Sequence, residues 1–173
     1  MDSFTSNGRP DGPESEGDHS NGLQGFATLG QFLEEDQWHP QPLEDSHAYH
    51  MYFRGNNGET HCIARVRVDL EQLICYVLAP VKAPENSFDR VVEFVTRANY
   101  GMRIGNFEFD YSDGEIRYKS SFDFEKSDLT PQLIKNSLYP AVSTMDRYLP
   151  GLMAVMYGGK SAQEAIMDIE GSL

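Results

Sequence analysis

The sequence predicts an α+β fold: an antiparallel five-stranded sheet with helices packed mainly on one face, in the order α-β-β-β-α-β-β-α. Apolar residues recur at helical spacing in some segments and alternate with polar residues in others. An Asn-Gly pair and an Asp-Gly pair each separate two alternating segments, as in β-hairpins. These features place two groups of strands between helical segments.

Length and composition indicate one domain with an acidic tail. The 173 residues are 39% hydrophobic, which suffices for one buried core. Residues 1–25 are rich in Gly, Ser, Asn, Pro and acid, so we expect a disordered tail there and a domain over residues 26–173. The tail holds five acids and one arginine, which gives it −4 of the total charge of −13.

The acidic charge and the lack of long apolar runs restrict the function. A net charge of −13 disfavours nonspecific binding to nucleic acid or to anionic membranes, because both attract basic surfaces. No stretch has the pattern of a signal peptide or a membrane span, so we expect a cytoplasmic protein. Cys62 and Cys75 lack CxxC spacing, which favours buried free thiols over a zinc or redox motif.

The first helix is predicted over residues 26–36. Phe26, Leu29 and Leu33 fall on one side of it, and the prolines at positions 40 and 42 end it. Trp38 follows directly. Because tryptophan buries a large apolar area, we expect it to anchor this corner to the core rather than stack on a ligand.

Asn57-Gly58 predicts a two-residue turn between the next two strands. The register of such a turn sets three inward pairs, all of them core candidates. They are Phe53 opposite Cys62, Met51 opposite Ala64, and Tyr49 opposite Val66.

The reverse face of this hairpin is the one locally basic surface that the sequence indicates. It carries His50, Tyr52, Arg54, His61, Ile63, Arg65 and Arg67. His47 and His50 are three residues apart and point to opposite faces of a strand, so they form no metal pair, and solvated surface histidines are favoured. We predict a partner-binding surface here, with an ordinary solvated sheet face as the alternative. Its residues are Tyr52, Arg54, Ile63, Arg65 and Arg67.

Residues 73–79 are apolar on both faces, which is typical of an interior strand that is at least partly covered on both sides. Ile74, Tyr76 and Leu78 then face whichever helix or partner covers the second side. Pro80 and Pro84 close the strand.

The stretch from Ser87 onward predicts a helix and a second hairpin. The helical stripe comprises Phe88, Val91, Val92 and Val95, and Gly101 supplies the left-handed residue past its end. Asp113-Gly114 predicts a two-residue turn. The inward pairs are Phe107 opposite Ser120, Phe109 opposite Tyr118 and Tyr111 opposite Ile116; the outward ion pairs are Glu108 opposite Lys119 and Asp110 opposite Arg117.

Two helices are predicted at the C-terminal end. Thr130-Pro131 resembles an N-cap followed by proline at the first helical position, and apolar residues then recur to Met156. Pro140 and Pro150 are expected to kink or divide this helix. Ser161, three residues before a glutamate, matches a capping box for a final short helix.

No pattern in the sequence identifies a reaction. The GxSxG, Walker, HExxH and GxGxxG motifs are absent. Residues 110–115 fit a hairpin turn better than a calcium loop, and the glycines at 101 and 105 have no strand before them and no helix after them to form a phosphate cradle. We therefore predict no catalytic, cofactor-binding or metal-binding residue, and no enzyme activity.

Residues 91–158 resemble the YbjN family. The matching text is FVTRANYGMRIGNFEFD at residues 94–110, DGEIRYK at 113–119 and MDRYLPGLMAV at 145–155. It looks closest to the cyanobacterial branch of that family. The resemblance extends loosely back to about residue 26. It implies a type III secretion chaperone-like α+β fold and a regulatory or chaperone-like role, with no catalytic residues to transfer.

These observations favour a non-enzymatic protein-interaction module, chaperone-like or regulatory, with an unknown protein partner. The alternative is a small-molecule sensor or an undetected enzyme, with a pocket between the sheet and the C-terminal helices lined by Tyr118, Tyr139 and Tyr148. A further hypothesis is that the acidic tail lies over the basic face and competes with the partner. A homodimer is compatible with the sequence.

Overall fold

The computed structural model describes residues 19–171, which form four α-helices and one six-stranded sheet. The helices are α1 (Ser20–Glu35), α2 (Phe88–Asn99), α3 (Pro131–Tyr157) and α4 (Ala162–Glu170). The strands are β1 (Gln41–Pro42), β2 (Ala48–Arg54), β3 (Glu59–Arg67), β4 (Gln72–Leu78), β5 (Asn106–Phe109) and β6 (Ile116–Asp123). A short 3-10 helix, Glu85–Ser87, precedes α2.

The sheet has the strand order β1-β2-β3-β4-β6-β5, and every neighbouring pair is antiparallel. The α+β class and the antiparallel sheet are confirmed, but the prediction of five strands is wrong. The additional strand is β1, whose two residues pair with His50 and Tyr49 of β2. The sequence conceals this strand because it is short and contains Pro42, which is tolerated at a sheet edge.

One face of the sheet carries the core. Helix α1 packs against β3 and α3, and α3 lies across β3, β4 and β6. Helix α2 packs against β5 and α3, and α4 covers α2 and α3. Within residues 19–171, no helix is both long enough and apolar enough to cross a membrane.

Helix α1 begins at Ser20, six residues before the predicted start. The expected disordered tail of residues 1–25 is therefore wrong for residues 20–25, whereas residues 1–18 lie outside the described part of the chain. Gly22 and Gly25 let this first part of the helix pack closely. A Cβ at Gly22 would lie 2.2 Å from the Val68 carbonyl oxygen, and one at Gly25 would lie 2.8 Å from the Phe124 ring. The composition predicted a tail because glycine is frequent in disordered segments. Here the glycines instead permit a close approach of the helix to its neighbours.

The β2–β3 hairpin has a different register from the predicted one. Met51 lies opposite Cys62, Tyr49 opposite Ala64 and Phe53 opposite Thr60, a shift of two residues. The turn is centred on Asn56 and Asn57 and closed by Gly55 N–H donating to the Gly58 carbonyl at 2.9 Å.

Asp146 of α3 is the physical reason for this register. Its carboxylate accepts hydrogen bonds from the backbone N–H groups of Asn56 (3.0 Å) and Asn57 (2.8 Å). Pro150 has no N–H, so the Asp146 carbonyl lacks its usual helical partner, and the Asn57 side-chain amide donates to it at 3.0 Å. A distant helix thus selects the turn, which the local Asn-Gly pattern cannot show.

The β5–β6 hairpin is also shifted by two residues. Phe107 lies opposite Tyr118 and Phe109 opposite Ile116, so β5 ends before Tyr111. Asp113 has an ordinary negative φ and only Gly114 has a positive one (77°), whereas a type I′ turn needs both positive. The wider turn is held by Asp110, whose N–H donates to the Glu115 carbonyl at 2.9 Å.

The predicted ion pairs of this hairpin are rearranged by the shift. Glu108 binds both Arg117 and Lys119, each at 2.7 Å. Arg117 is now directly opposite Glu108, and Lys119 is its diagonal neighbour. Within residues 19–171, no ion pair joins Asp110 to Arg117.

The sequence predicts that Pro140 and Pro150 kink or divide α3. The helix continues without a break from Pro131 to Tyr157, so they do not divide it. Its start is confirmed, because the Thr130 side chain accepts a hydrogen bond from Leu133 N–H. Residues with little or no exposure recur along its whole length, and this continuous packing on the sheet outweighs the two lost backbone bonds. The capping box of Ser161 and the left-handed Gly101 are also confirmed.

Candidate functional site

The candidate site is the outer face, defined here as the side of the sheet opposite the helices. Alternation along each strand sends one set of side chains into the core and the other set outward. The outward set includes His50, Tyr52 and Arg54 of β2, His61, Ile63, Arg65 and Arg67 of β3, Ile74, Tyr76 and Leu78 of β4, Glu108 of β5, and Arg117 and Lys119 of β6. Ala48, which pairs with Arg65 on this face, is fully buried. No helix of residues 19–171 packs on this face.

The five predicted partner-binding residues all lie on the outer face of two neighbouring strands. Tyr52 is paired with His61, and Ile63 with His50, so the apolar and aromatic members adjoin. Tyr52 is 50% exposed and the Arg54 side chain 81% exposed. The shift of register does not move them off this face, because a two-residue shift preserves the alternation.

An apolar row along β4 continues this surface. Ile74, Tyr76 and Leu78 are partly exposed, whereas Leu73, Cys75 and Val77 on the same strand are fully buried in the core. Tyr76 lies between Ile63 of β3 and Lys119 of β6 in the pairing.

The extension onto β6 was not predicted. Arg117 lies with its guanidinium carbon 4.4 Å from the centre of the Tyr76 ring, a cation–π contact across the β4–β6 pair. The sequence placed Arg117 and Lys119 on a polar hairpin face, but it carried no signal that β4 pairs with β6. That pairing joins two separate local patterns into one surface.

Most cations of the outer face have carboxylate partners. Arg54 pairs with Glu59 and Arg67 with Asp69, both at 3.2 Å, while Arg117 and Lys119 share Glu108. Arg65 is exposed and forms no ion pair with a carboxylate of residues 19–171. The expected basic surface is therefore largely neutralised, and Arg65 is the arginine of this face that keeps an unpaired charge within the described residues.

Glu108 is the acid that organises the β6 cations. Burial raises the pKa of its carboxyl, and hydrogen bonds from Lys119 and Arg117 lower it, with a net pKa below the ordinary value. Its side chain and those of Arg117 and Lys119 are each about one quarter to one third exposed. These three groups form a fixed polar border beside the apolar row.

Three rings cluster at the β2–β3 end of the outer face. The Tyr52 ring lies 4.7 Å from both His50 and His61, and the two imidazoles are 5.4 Å apart. Burial, followed by the charge of His61, lowers the pKa of His50 below its ordinary value. No group of three or more His, Cys, Asp or Glu side chains among residues 19–171 is placed to hold a metal ion.

A cleft of about 540 Å³ opens at one end of the outer face, where α1 begins. Arg65 and Arg67 of β3 line it together with His19, the first described residue, and with side chains of the β1–β2 loop. The charged or titratable lining residues are His19, Asp45, His47, Arg65, Arg67 and Asp69. We call this the arginine cleft.

A second concavity, of about 560 Å³, corresponds to the predicted alternative pocket. Tyr118 and Tyr148 line it as predicted, together with the loop after α2 and the end of α4. Tyr139 does not; its hydroxyl donates to Asp36, which also accepts the Trp38 indole N–H at 2.9 Å. Trp38 is buried in that corner, so its predicted role as an anchor is confirmed.

The pKa values of Tyr148 and the two cysteines are raised, which disfavours proton transfer or nucleophilic attack by these groups at neutral pH. Burial and a hydrogen bond to Glu170 raise the pKa of Tyr148 to about 12. Burial also raises the pKa of Cys62 and of Cys75 to about 12, and both thiols are free. These groups stay protonated at neutral pH, as the prediction of buried free thiols requires.

Comparisons with known proteins bear on the family and on the fold. The model of the YbjN family, described as a putative bacterial sensory transduction regulator, matches residues 26–153. No curated protein matches the chain. A chain from the crystal structure of the ExsC–ExsE complex is similar with a TM-score of 0.53 and 12% identity, over 72% of this chain and 90% of that one. At this identity the likeness shows a shared fold and nothing finer.

Proposed function

Because the chain belongs to the YbjN family, we propose that it is a non-enzymatic protein-interaction module, chaperone-like or regulatory, whose outer face binds a protein partner. The family description as a sensory transduction regulator supports a regulatory role. The similar chain comes from the crystal structure of a complex, ExsC–ExsE, and a complex of this kind fits a protein partner.

The observation that carries the proposal is the composition of the uncovered sheet face. A partly exposed apolar row (Ile74, Tyr76 and Leu78) on β4 is joined through His61 and Ile63 of β3 to exposed Tyr52 of β2, and arginines border this surface. Tyrosine and arginine are the residues that interfaces favour, because they combine large contact area with hydrogen bonding. Contiguous exposed apolar residues mark interaction sites, whereas an ordinary solvated face carries apolar residues that are scattered singly.

The charges of the outer face indicate the chemistry of the partner surface that it binds. Arg65 has no carboxylate partner within residues 19–171, so a carboxylate from another protein gains a pair there without displacing one. The chain as a whole carries −13, and acidic partners are repelled elsewhere on its surface. We infer that the partner contributes an apolar segment flanked by acid, with the acid placed near Arg65.

A pair of matched charge reversals tests this proposal. The tagged full chain, an Arg65→Glu/Arg67→Glu variant and an Arg97→Glu/Arg103→Glu variant are used to recover proteins from lysate of the native organism. The control variant has the same change in net charge, at exposed arginines of α2 and of the loop that follows it. The affinity of the recovered protein is then measured with each purified chain.

We expect the outer-face variant to lose at least about tenfold in affinity, because the exposed acid of the partner then meets like charge, and the control to lose little. Equal affinities for the two variants, or no protein recovered by the unmodified chain, contradict the proposal.

A second candidate, a small-molecule sensor, is favoured by the concavity that Tyr118 and Tyr148 line. Arg103 and Arg147 also line it, so an anionic, partly apolar ligand suits it. A thermal-shift screen with a metabolite library tests this candidate. Stabilisation that Arg147→Ala removes and Arg65→Glu leaves unchanged supports it, and the absence of any stabilising compound counts against it.

A further inference from the structure

We propose that residues 1–18 of this chain bind back into the arginine cleft and over the adjoining outer face, as an intramolecular occupant of the surface that the partner uses. The cleft lies where the described chain begins, and the sequence outside it carries the complementary charge.

The exit point of the segment is fixed at the cleft. His19 lines the cleft together with Arg65 and Arg67. Helix α1 starts at the next residue and is held in place there, since Asn21 donates to the Glu71 carboxylate at 2.7 Å and Gly22 lies directly on the Val68 backbone. The described chain therefore begins, at His19, beside the two arginines.

The two sides of the α1 start differ in charge. On one side is the arginine cleft, whose lining balances Arg65 and Arg67 against Asp45 and Asp69. Arg67 is paired with Asp69, and Arg65 has no carboxylate partner among residues 19–171. On the other side is a second cleft, of about 410 Å³, which we call the acidic cleft. Its charged lining residues are Glu71, Glu125, Lys126 and Asp128, three acids against one lysine.

The sequence of residues 1–18 is suited to the arginine cleft and unsuited to the acidic one. It has one base, Arg9, and five acids: Asp2, Asp11, Glu14, Glu16 and Asp18. Four of the acids fall in the last eight positions, next to the exit point. Attraction by Arg65 and repulsion by the acidic cleft act in the same direction, so the segment is steered toward the outer face.

The segment is long enough to cover this face. Eighteen residues reach at most about 60 Å when extended, whereas five strand spacings span about 24 Å. Tethering raises the effective concentration of the segment at the cleft to roughly the millimolar range, so weak ion pairs suffice for occupancy. Salt weakens such pairs, and a partner that carries acid near Arg65 competes with the segment.

Paramagnetic broadening in the full chain measures where the segment lies. A nitroxide is attached through Ser6→Cys; Cys62 and Cys75 have no exposed surface and stay unlabelled. Backbone amides of residues 45–47 and 65–67 report on the arginine cleft, and amides of residues 125–128 report on the acidic cleft. The acidic cleft is a matched control, because it also adjoins the start of α1.

We expect strong broadening at residues 45–47 and 65–67 and little at residues 125–128. This asymmetry should disappear in the Arg65→Glu/Arg67→Glu chain, in a chain with the five acids changed to their amides, and at about 0.5 M salt, where the Debye length falls to roughly 4–5 Å. It should persist in the Arg97→Glu/Arg103→Glu chain.

Equal broadening at both clefts, or an asymmetry that survives the Arg65→Glu/Arg67→Glu change, overturns the inference. No partner is present in this experiment. The inference can therefore fail while the proposed function stands, and the reverse also holds.

Discussion

The two faces of the sheet differ in what holds their side chains. Along β4, the inward residues Leu73, Cys75 and Val77 have no exposed surface and pack under the helices. The outward residues of the same strand are partly exposed, and one of them, Tyr76, lies under the Arg117 guanidinium of the neighbouring strand. We therefore expect the inner face to contribute most of the stability and the outer face to contribute little.

Two leucine truncations on β4 test whether the inner face contributes more to stability than the outer face. Leu73→Ala opens a cavity in the core and is expected to lower the free energy of unfolding by about 3 kcal/mol. Leu78→Ala, on the outer face, is expected to cost about 1 kcal/mol or less, because that side chain is already partly in water. Urea unfolding measures both. Similar losses for the two variants would mean that the outer face is also part of the core.

Asp146 lies on the core side of the sheet but affects the outer face, because it sets the register of the β2–β3 hairpin, which carries Tyr52 and Arg65. Asp146→Ala leaves two turn N–H groups without their acceptor, and we expect a loss of about 2–3 kcal/mol in the free energy of unfolding. Asp128→Ala removes an exposed acid and serves as the control. Unfolding curves for the two variants that coincide would show that the turn does not depend on Asp146.

Replacement of Glu108 tests how much the ion pairs of the polar border contribute to stability. At pH 7, Glu108→Gln should cost about 1 kcal/mol, since its ion pairs are only partly shielded from water. The pKa of Glu108 is lowered in the folded state, so its contribution is present above its unfolded pKa of about 4.3 and is lost as pH falls through the folded value. The difference between the variant and the unmodified chain should thus vanish below that window. A difference that is constant from pH 7 to pH 3 contradicts the ion-pair explanation.

A small change is expected in the pKa of His50, which lies in the cluster of rings with Tyr52 and His61. Burial is the main cause of the lowered pKa of His50, and the charge of His61 is the lesser cause. His61→Gln should therefore raise the pKa of His50 only slightly, and it should stay below its ordinary value. An NMR titration of the imidazole protons measures it. A return of the His50 pKa to the ordinary value would show that charge, not burial, dominates.

The two hairpins show how far the sequence predicted this fold. Both turn signals located a hairpin correctly, and both gave a register wrong by two residues. The β2–β3 turn is selected by Asp146, which is 89 residues from Asn57, and the β5–β6 turn by hydrogen bonds of Asp110 and its neighbours. The local Asn-Gly pattern does not contain the distant Asp146. The bonds of Asp110 to Gly114 and Glu115 lie within the turn itself, but the Asp-Gly pattern alone does not distinguish this wider turn from a two-residue one.

The candidate surface was predicted better than the register. Since side chains alternate with a period of two, an error of two residues leaves every side chain on its predicted face. Tyr52, Ile63 and Arg65 therefore lie together as the sequence indicated. The extension to Arg117 depends on the long-range pairing of β4 with β6, and the neutralisation of Arg67 depends on Asp69 in the following turn. Neither follows from periodicity.

Site-specific photocrosslinking in cells tests whether the outer face binds a protein partner. A benzophenone side chain is placed by Tyr52→p-benzoylphenylalanine or, as the control, by Tyr157→p-benzoylphenylalanine in the full chain in native cells. The two tyrosines are similarly exposed, at 50% and 59%, and Tyr157 lies on α3. We predict a covalent adduct with another protein at position 52, its loss with Arg65→Glu/Arg67→Glu, and none at position 157. No adduct at position 52, or equal adducts at both positions, would contradict the claim.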